Sequence, residues 1–519
     1  MATPPRAIKE FLARKRRDSS KPKKASARTV DRKLAALEPQ PTFVTSPYLH
    51  QKVCFLLGVY FERYAFFLDM GLGKTKLASD LFSYFSSCYR NQRREHLRGL
   101  VLVPNTANIE GWRDEVAKHA PDLTFEGLDI SGKSKRLAAV AAGSDMLVTT
   151  YAGWAALVCR RGKKGLEVDP EKQELEGRFD FVVFDESSFL RNHNTLAFRL
   201  AKRLANSARH VFLLTGTPLG KNPQDLWTQL YLVDGGHTLG ATLGLFRAAF
   251  FRESQNYWGG REYEFRKRMT VKLSRCTRHA SIRYTDEECL DLPDTVGGLL
   301  TGSFDKRYTL YTPEQLEAAD ALNKAIREAR GERDIVESKY VALRRLESGY
   351  AKLEDGTLVP FRTNPKLDLL ASVLDDIPRE ESVIIVHHYR QSGDLIAQLL
   401  ESRKDKFVRL VGAMTPVKTR ASVTKFRSGA ARVLVCSKSG SYGHNFQISR
   451  RIIFFESFDD PITRKQMEKR IRRPGQKRRT YITDLVVRGG IGDRILYSLL
   501  DGKKIFDELM EDSKRGRSC

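Results

Sequence analysis

Cysteine is scarce and lies in no ligand-like pattern. Seven thiols (Cys54, Cys88, Cys159, Cys276, Cys289, Cys436, Cys519) are scattered over 519 residues without a single C-x-x-C pair. An odd, dispersed set supplies neither a disulfide framework nor the close ligand pairs of a zinc site, so reduced intracellular thiols are expected. Long apolar runs are missing too. The longest, Val53 to Phe61, stops at Glu62, well short of the roughly 20 residues a membrane-spanning helix needs. The N-terminus carries no apolar signal core. The expectation is an intracellular chain that neither spans a membrane nor depends on disulfides.

Acidic residues are the minority charge, 63 Asp and Glu against 89 Lys and Arg, a net of +26. At a pI near 9.7 that excess favours a polyanionic partner over a neutral metabolite. It is unevenly spread. Residues 1–33 hold twelve basic and three acidic side chains, a net of +9, among Pro, Ser and Ala. So few apolar groups cannot offset the entropy of ordering, and residues 1–45 are expected to be a flexible basic arm that meets phosphates. The basic runs Arg14 to Arg17 and Lys21 to Lys24 also fit a nuclear address.

Hydrophobic residues make up 41% of the chain, enough for two to four domains with cores of their own at roughly 150 residues each. From about Ser46 short continuous apolar runs alternate with helical stretches: Ala65 to Leu68, Leu100 to Val103, Met146 to Val148, Phe181 to Phe184 and Val211 to Leu214. Continuous rather than alternating runs of this length fit strands buried on both faces of a parallel sheet. A second series follows at Val383 to Val386, Phe407 to Val411, Val433 to Val435, Ile452 to Phe455 and Tyr481 to Val487. The pattern predicts an α/β chain with a first domain over 46–235, a helical insert or linker over 236–360, and a second domain over 361–519.

Phe66-Phe67-Leu68-Asp69-Met70-Gly71-Leu72-Gly73-Lys74-Thr75 runs from an apolar strand into a helix. Glycines there let backbone N–H groups turn toward phosphates, and the helix N-terminus adds positive potential. Lys74 is placed to reach β- and γ-phosphates and Thr75 to bind magnesium. The strand Phe181 to Phe184 ends in Asp185-Glu186, where an α/β sheet binds its ligand. Asp185 suits magnesium, and Glu186 suits orienting and deprotonating an attacking water.

These blocks together resemble superfamily 2 helicase-type motors, and specifically the SWI/SNF-like branch of double-stranded DNA translocases, in order from Tyr48 to about Lys504. Asp69 to Thr75 is similar to that family's DEMGLGKT block, Asp185-Glu186-Ser187-Ser188 stands at its DEAH position, and Leu214-Thr215-Gly216-Thr217-Pro218 matches its LTGTP block. Ser437 to Phe446 resembles STRAGGLGINL, and Gln466 to Gln476 resembles QAxxRxxRxGQ at the same spacing. The compact length is closer to bacterial, phage or viral members than to large chromatin remodellers.

The resemblance implies two RecA-like domains in tandem with an ATP cleft between them. ATP binding falls to Gln51, which reads adenine, to Met70, Gly71, Leu72, Gly73, Lys74 and Thr75, and to Gly443. Arg470 and Arg473 become arginine fingers on the γ-phosphate, both on one face of a helix by their i, i+3 spacing. Asn105 and Trp112, in the block from Val101 to Glu115, together with Thr150, face the DNA backbone. Thr215, Gly216 and Thr217, with Ser437 and Gln466, couple ATP state to nucleic acid, and Leu226 and Trp227 lie in the helix after the coupling block. Two departures stand out: Ser187 and Ser188 replace Ala-His, leaving hydroxyls to bond Thr215 or Thr217, and Glu456, Asp459 and Asp460 precede Pro461 where an Asp and a Trp-Asn are usual.

The resemblance further implies use of ATP and magnesium on double-stranded DNA, with little sequence preference, by a monomeric motor. A protein partner in replication, repair, transcription or defence fits as well. The rivals are a strand-separating helicase acting on forks or RNA, and a basic DNA-binding scaffold with a silenced ATPase.

Overall fold

The computed structural model describes residues 26–91, 96–130, 132–162, 165–219, 223–255, 260–353, 355–412, 414–438, 445–502 and 505–515. The chain divides into two units, Met1–Leu290 and Asp291–Cys519.

In the first unit, α1 (Ala27–Ala35) and α2 (Leu49–Phe61) lead into β1 (Arg63–Leu68) and α3 (Lys74–Asn91). Then come β2 (Gly99–Val103), α4 (Thr106–His119), β3 (Phe125–Gly127), β4 (Met146–Thr150), α5 (Tyr151–Val158), β5 (Phe181–Asp185), β6 (His210–Leu214), α6 (Asp225–Asp234) and β7 (Ser281–Tyr284). The seven strands form a parallel sheet in the order β7-β1-β6-β5-β2-β4-β3. Alternate side chains enter two cores. Ala65, Phe67, Leu100, Leu102, Val182 and Phe184 fill one face, while Phe66, Leu68, Val101, Val103, Val183 and Phe212 fill the other. A run that must be apolar on both faces has no room for polar alternation, which is why each strand reads as continuous. Each of the Val, Leu and Phe side chains among them contributes about 1.5–3 kcal/mol by leaving water.

In the second unit, β8 (Thr295–Val296) and β9 (Asp305–Thr309) both pair with β14 (Thr480–Val487). That strand continues the parallel sheet through β13 (Arg451–Phe454), β10 (Val383–His387), β12 (Val433–Ser437) and β11 (Phe407–Leu410). Ile384, Val386 and Leu434 fill one face, and Val383, Ile385 and Val433 the other.

Two expectations are corrected. The segment 236–360 is no separate helical insert, because β7 joins the first sheet and β8 and β9 join the second. Its helices Pro313–Glu328 and Arg333–Glu347 pack with the C-terminal helices Ile491–Leu500 and Ile505–Arg515 around Ile326, Val336, Leu343, Ile495 and Leu509. Sequence pattern missed these strands because a partly exposed edge strand such as Asp-Lys-Arg-Tyr-Thr carries no apolar run. Nor does the arm extend to residue 45. Ser26 caps α1, Val30 and Leu34 bury one of its faces, and Asp31 pairs with Lys52 of α2 at 2.7 Å. One apolar i, i+4 pair suffices to dock a short helix that composition alone assigns to coil. The arm's residues 1–25 lie outside the described residues.

Candidate nucleotide site and coupling loops

Strand order decides what meets at the carboxyl edge of the first sheet. The adjacency β1-β6-β5-β2-β4 lines up the loop Asp69 to Gly73, then Thr215, then Asp185-Glu186, then Asn105, then Thr150. Residues up to 146 positions apart in sequence thereby share one edge, counting from Asp69 to Thr215.

α3 starts at Lys74, so its first backbone N–H groups have no partner within the helix and carry the positive end of its dipole. Gly71 and Gly73 adopt φ of +87° and +77°. At Gly73 a Cβ would stand 2.2 Å from Gln51 Nε2, so only glycine lets that side chain close on the loop. Gln51 is buried, accepts from Tyr48 N at 2.9 Å and donates to Leu72 O at 3.1 Å. Its amide therefore braces the loop carrying Met70 and Leu72. Lys74 Nζ donates to Leu68 O at 3.1 Å and lies 4.0 Å from Glu186 Oε1. Thr75 is half-buried in the first turn.

Asp185 closes β5 at 7% exposure. Its Oδ2 accepts from Trp112 Nε1 at 2.8 Å and its Oδ1 from Glu186 N at 2.9 Å, while its main-chain carbonyl accepts from Tyr151 OH at 2.9 Å. Burial, then the neighbouring Glu186 charge, push the Asp185 carboxyl up to about 6, against the pull of Trp112 and Lys74. Glu186 sits at φ +46°, a left-handed conformation that costs a non-glycine residue on the order of 1–3 kcal/mol. Its Oε2 accepts from Thr215 Oγ1 at 3.3 Å, and Thr215 Oγ1 in turn accepts from Thr217 N at 3.1 Å. At Gly216 a Cβ would approach Leu68 O to 3.3 Å, so the loop from Thr215 to Pro218 passes close to the base of the Asp69 to Gly73 loop.

These groups fit a magnesium nucleotide. A mostly buried lysine held by one carbonyl and a 4.0 Å ion pair beside an open helix N-terminus suits a polyphosphate, and an adjacent carboxylate pair with a threonine hydroxyl suits a hard divalent cation.

The structure places the other expected residues differently from one another. Asn105 and Thr150 are the N-caps of α4 and α5, accepting from Asn108 N at 3.2 Å and Gly153 N at 2.8 Å. Trp112 is 2% exposed, so its indole presents no face to nucleic acid and instead serves Asp185. Ser187 bonds neither Thr215 nor Thr217, as its hydroxyl donates to Gln229 Oε1 at 2.9 Å. Gln229, fully buried in α6 beside Leu226 and Trp227, donates onward to Pro218 O at 2.6 Å and Asp225 O at 2.9 Å. Sequence reading missed Gln229, since its only signal is an amide on an otherwise buried helix face.

In the second unit Ser437 ends β12, and Gln466 is half-buried in α7 (Pro461–Glu468). Gly443 lies outside the described residues. Arg470 and Arg473 do not share a helical face, because α7 ends at Glu468 and Arg470 follows in a turn and Arg473 in a bend. Pro474 and Gly475, the latter at φ +98°, end any helical continuation here. Arg470 is buried and its carbonyl accepts from Phe446 N at 3.0 Å. Arg473 donates to Lys469 O at 3.2 Å and to the Asn445 side chain. Gln476 pins the turn by donating to Gln447 O and Ser449 O, each at 3.0 Å.

A phosphate loop and a carboxylate pair at the carboxyl edge of a parallel sheet, followed by a second parallel-sheet unit, is the layout of a P-loop motor fold. The SNF2-related domain matches residues 50–337, more than half of the chain, and the helicase conserved C-terminal domain matches residues 365–475. The chain belongs to the SNF2-related family. It is 24% identical over 481 residues to the SWI/SNF-related matrix-associated actin-dependent regulator of chromatin subfamily A-like protein 1 of Drosophila melanogaster, covering 91% of this chain and 56% of that one. It is 22% identical over 497 residues to the DNA repair and recombination protein RAD54 of Oryza sativa subsp. japonica, covering 86% and 49%. The chain thus spans about half the length of these curated relatives. Among solved structures it is similar to the Sulfolobus solfataricus SWI2/SNF2 ATPase core in complex with dsDNA, with 22% identity, a TM-score of 0.39, and coverage of 92% of this chain and 96% of that one.

Proposed function

We propose that this chain is an ATP-dependent motor that moves along or remodels double-stranded DNA or protein–DNA complexes. The observation that carries the reading is the line from Lys74 through Glu186 to Thr215, which joins a phosphate-binding lysine, a candidate general base and the loop expected to sense nucleic acid. Lys74 and the α3 N-terminus hold the β- and γ-phosphates, and Thr75 and Asp185 hold magnesium. Magnesium, when bound, neutralises phosphate charge and polarises the γ-phosphoryl group. Glu186 orients the attacking water and takes its proton as the new P–O bond forms and ADP leaves. Within the second unit, Arg470 and Arg473 are the candidate phosphate-binding arginines. Asn105 and Thr150 follow a phosphate backbone, Ser437 and Gln466 couple nucleic acid to the ATP state, and the net charge of +26 supports a polyanionic track. The rice relative's name, a DNA repair and recombination protein, agrees with DNA as that track. Phosphate contacts carry no base information, so binding is expected to be sequence-tolerant and to weaken steeply with salt.

The test is ATP-dependent displacement of a triplex-forming strand from duplex DNA, set beside unwinding of a forked duplex, with Lys74→Ala as control. Triplex displacement that Lys74→Ala abolishes is the expected result. Fork unwinding without triplex displacement makes the chain a strand-separating helicase instead, and equal DNA-dependent ATPase rates for wild type and Lys74→Ala make it a scaffold.

A further inference from the structure

Two helices of the first unit each send one aromatic hydrogen-bond donor to the same residue. α4 is capped by Asn105, and seven positions on, the Trp112 indole donates to Asp185 Oδ2 at 2.8 Å. α5 is capped by Thr150, and its first residue, Tyr151, donates its phenol to the Asp185 main-chain carbonyl at 2.9 Å. Both rings are buried, at 2% and 4% exposure. Side chain and main chain of Asp185 are therefore held from two sides by helices whose starts lie at the strand ends of β2 and β4. Buried Trp and Tyr need a partner for their polar atoms, and any backbone carbonyl satisfies that need. Here the indole's partner is an ionisable carboxyl group, and hydrogen bonds to charged groups are the stronger and more orienting kind.

We propose that Trp112 and Tyr151 are positioning residues through which DNA sets the orientation of Asp185. Backbone phosphates meeting the capped starts of α4 and α5 shift these helices, and the two donors carry that shift to the carboxylate and its carbonyl. This inference rests on the reading of the chain as a DNA-dependent ATPase with Asn105 and Thr150 on the DNA. It assigns Trp112 and Tyr151 a role in coupling and none in touching DNA.

The test compares wild type with Trp112→Phe and Tyr151→Phe, each of which keeps an aromatic ring and removes the donor. ATPase rates are measured with and without saturating duplex DNA, and Mn2+ binding to the ADP complex is followed by electron paramagnetic resonance with and without duplex. In wild type, DNA is expected to raise turnover and to tighten Mn2+ binding. In Trp112→Phe the stimulation ratio is expected to fall about tenfold, the scale of one charge-assisted hydrogen bond, and the Mn2+ shift to disappear, with a smaller loss of both in Tyr151→Phe. Unchanged ratios and Mn2+ shifts in both variants overturn the inference while leaving the DNA-dependent ATPase in place. A proportional fall of both rates with a lower Tm also overturns it, since that is the mark of packing alone. A wild type that DNA does not stimulate overturns the inference together with the reading beneath it.

Discussion

Ser187 donates its hydroxyl to the side-chain carbonyl of Gln229 at 2.9 Å, and both residues are fully buried. The bond ties the residue after the carboxylate pair to the helix that holds Pro218 O through the same amide. A short hydroxyl and a long amide thus bridge the carboxylate strand to the loop ending at Pro218. Ser187→Ala removes the donor and strands a buried carbonyl, at a cost of about 1–3 kcal/mol. Gln229→Leu leaves its partners unpaired in turn, whereas the double variant removes the pair together. A double-mutant cycle by urea unfolding is expected to show a coupling energy of about 1 kcal/mol or more. Additive single effects would show that the bond contributes nothing of its own.

The phosphate loop admits a sharper test at Gly73. Alanine there would place its Cβ 2.2 Å from Gln51 Nε2 at a φ of +77°, so either Gln51 or the loop must move. Gly73→Ala is expected to weaken binding of a fluorescent ATP analogue at least about tenfold, since roughly each 1.4 kcal/mol of lost fit is a factor of ten. Binding within about twofold of wild type would show that the loop absorbs the methyl group without displacing Gln51.

The phosphate loop and the carboxylate pair were legible because each is contiguous in sequence and its chemistry depends on local backbone. Bonds between distant segments were not. Trp112 and Asp185 are 73 positions apart, and no periodicity announces that an indole meets a carboxylate. Ser187 could be read as a departure from the family pattern, but not its partner Gln229, because a buried amide looks the same in sequence whatever it bonds. The buried strands were found from continuous apolar runs, while β7, β8 and β9 were missed because edge strands need no such runs. The helical spacing of Arg470 and Arg473 failed for a local reason: α7 ends before either arginine is reached.

Arg464 is fully buried and donates to both Asp484 oxygens at 2.6 and 2.7 Å and to Glu468 Oε1 at 2.6 Å. Glu468 also accepts from Leu299 N at 2.8 Å and Leu300 N at 2.9 Å. This network fastens α7 to β14 and to the chain entering β9. Asp484→Asn halves the compensation of a guanidinium that has no access to water, and a loss of about 3–5 kcal/mol is expected. Chemical unfolding of the intact chain checks it, and a change below about 1 kcal/mol, the level of an exposed ion pair, would contradict the assignment.

Acid sensitivity should have an identifiable source in His210. The ring is 1% exposed, stacks on Phe85 with centroids 3.9 Å apart, and neither nitrogen has a hydrogen-bond partner among the described residues. Burial pulls its pKa from 6.5 down to about 4, with Glu62 opposing and Arg209 and Arg63 assisting. The unfolded chain therefore binds a proton before the folded one does. The neutral ring's contribution is intact above about pH 6.5 and is lost progressively as pH falls toward 4. Between about pH 7.5 and pH 5.0 that loss amounts to about 2 kcal/mol, because over most of this interval only the unfolded chain takes up the proton. His210→Phe keeps a ring against Phe85 and cannot titrate, so its stability should fall by about 2 kcal/mol less than that of wild type over the same interval. Parallel losses in the two proteins, measured by urea unfolding at both pH values, would place the acid sensitivity elsewhere in the chain.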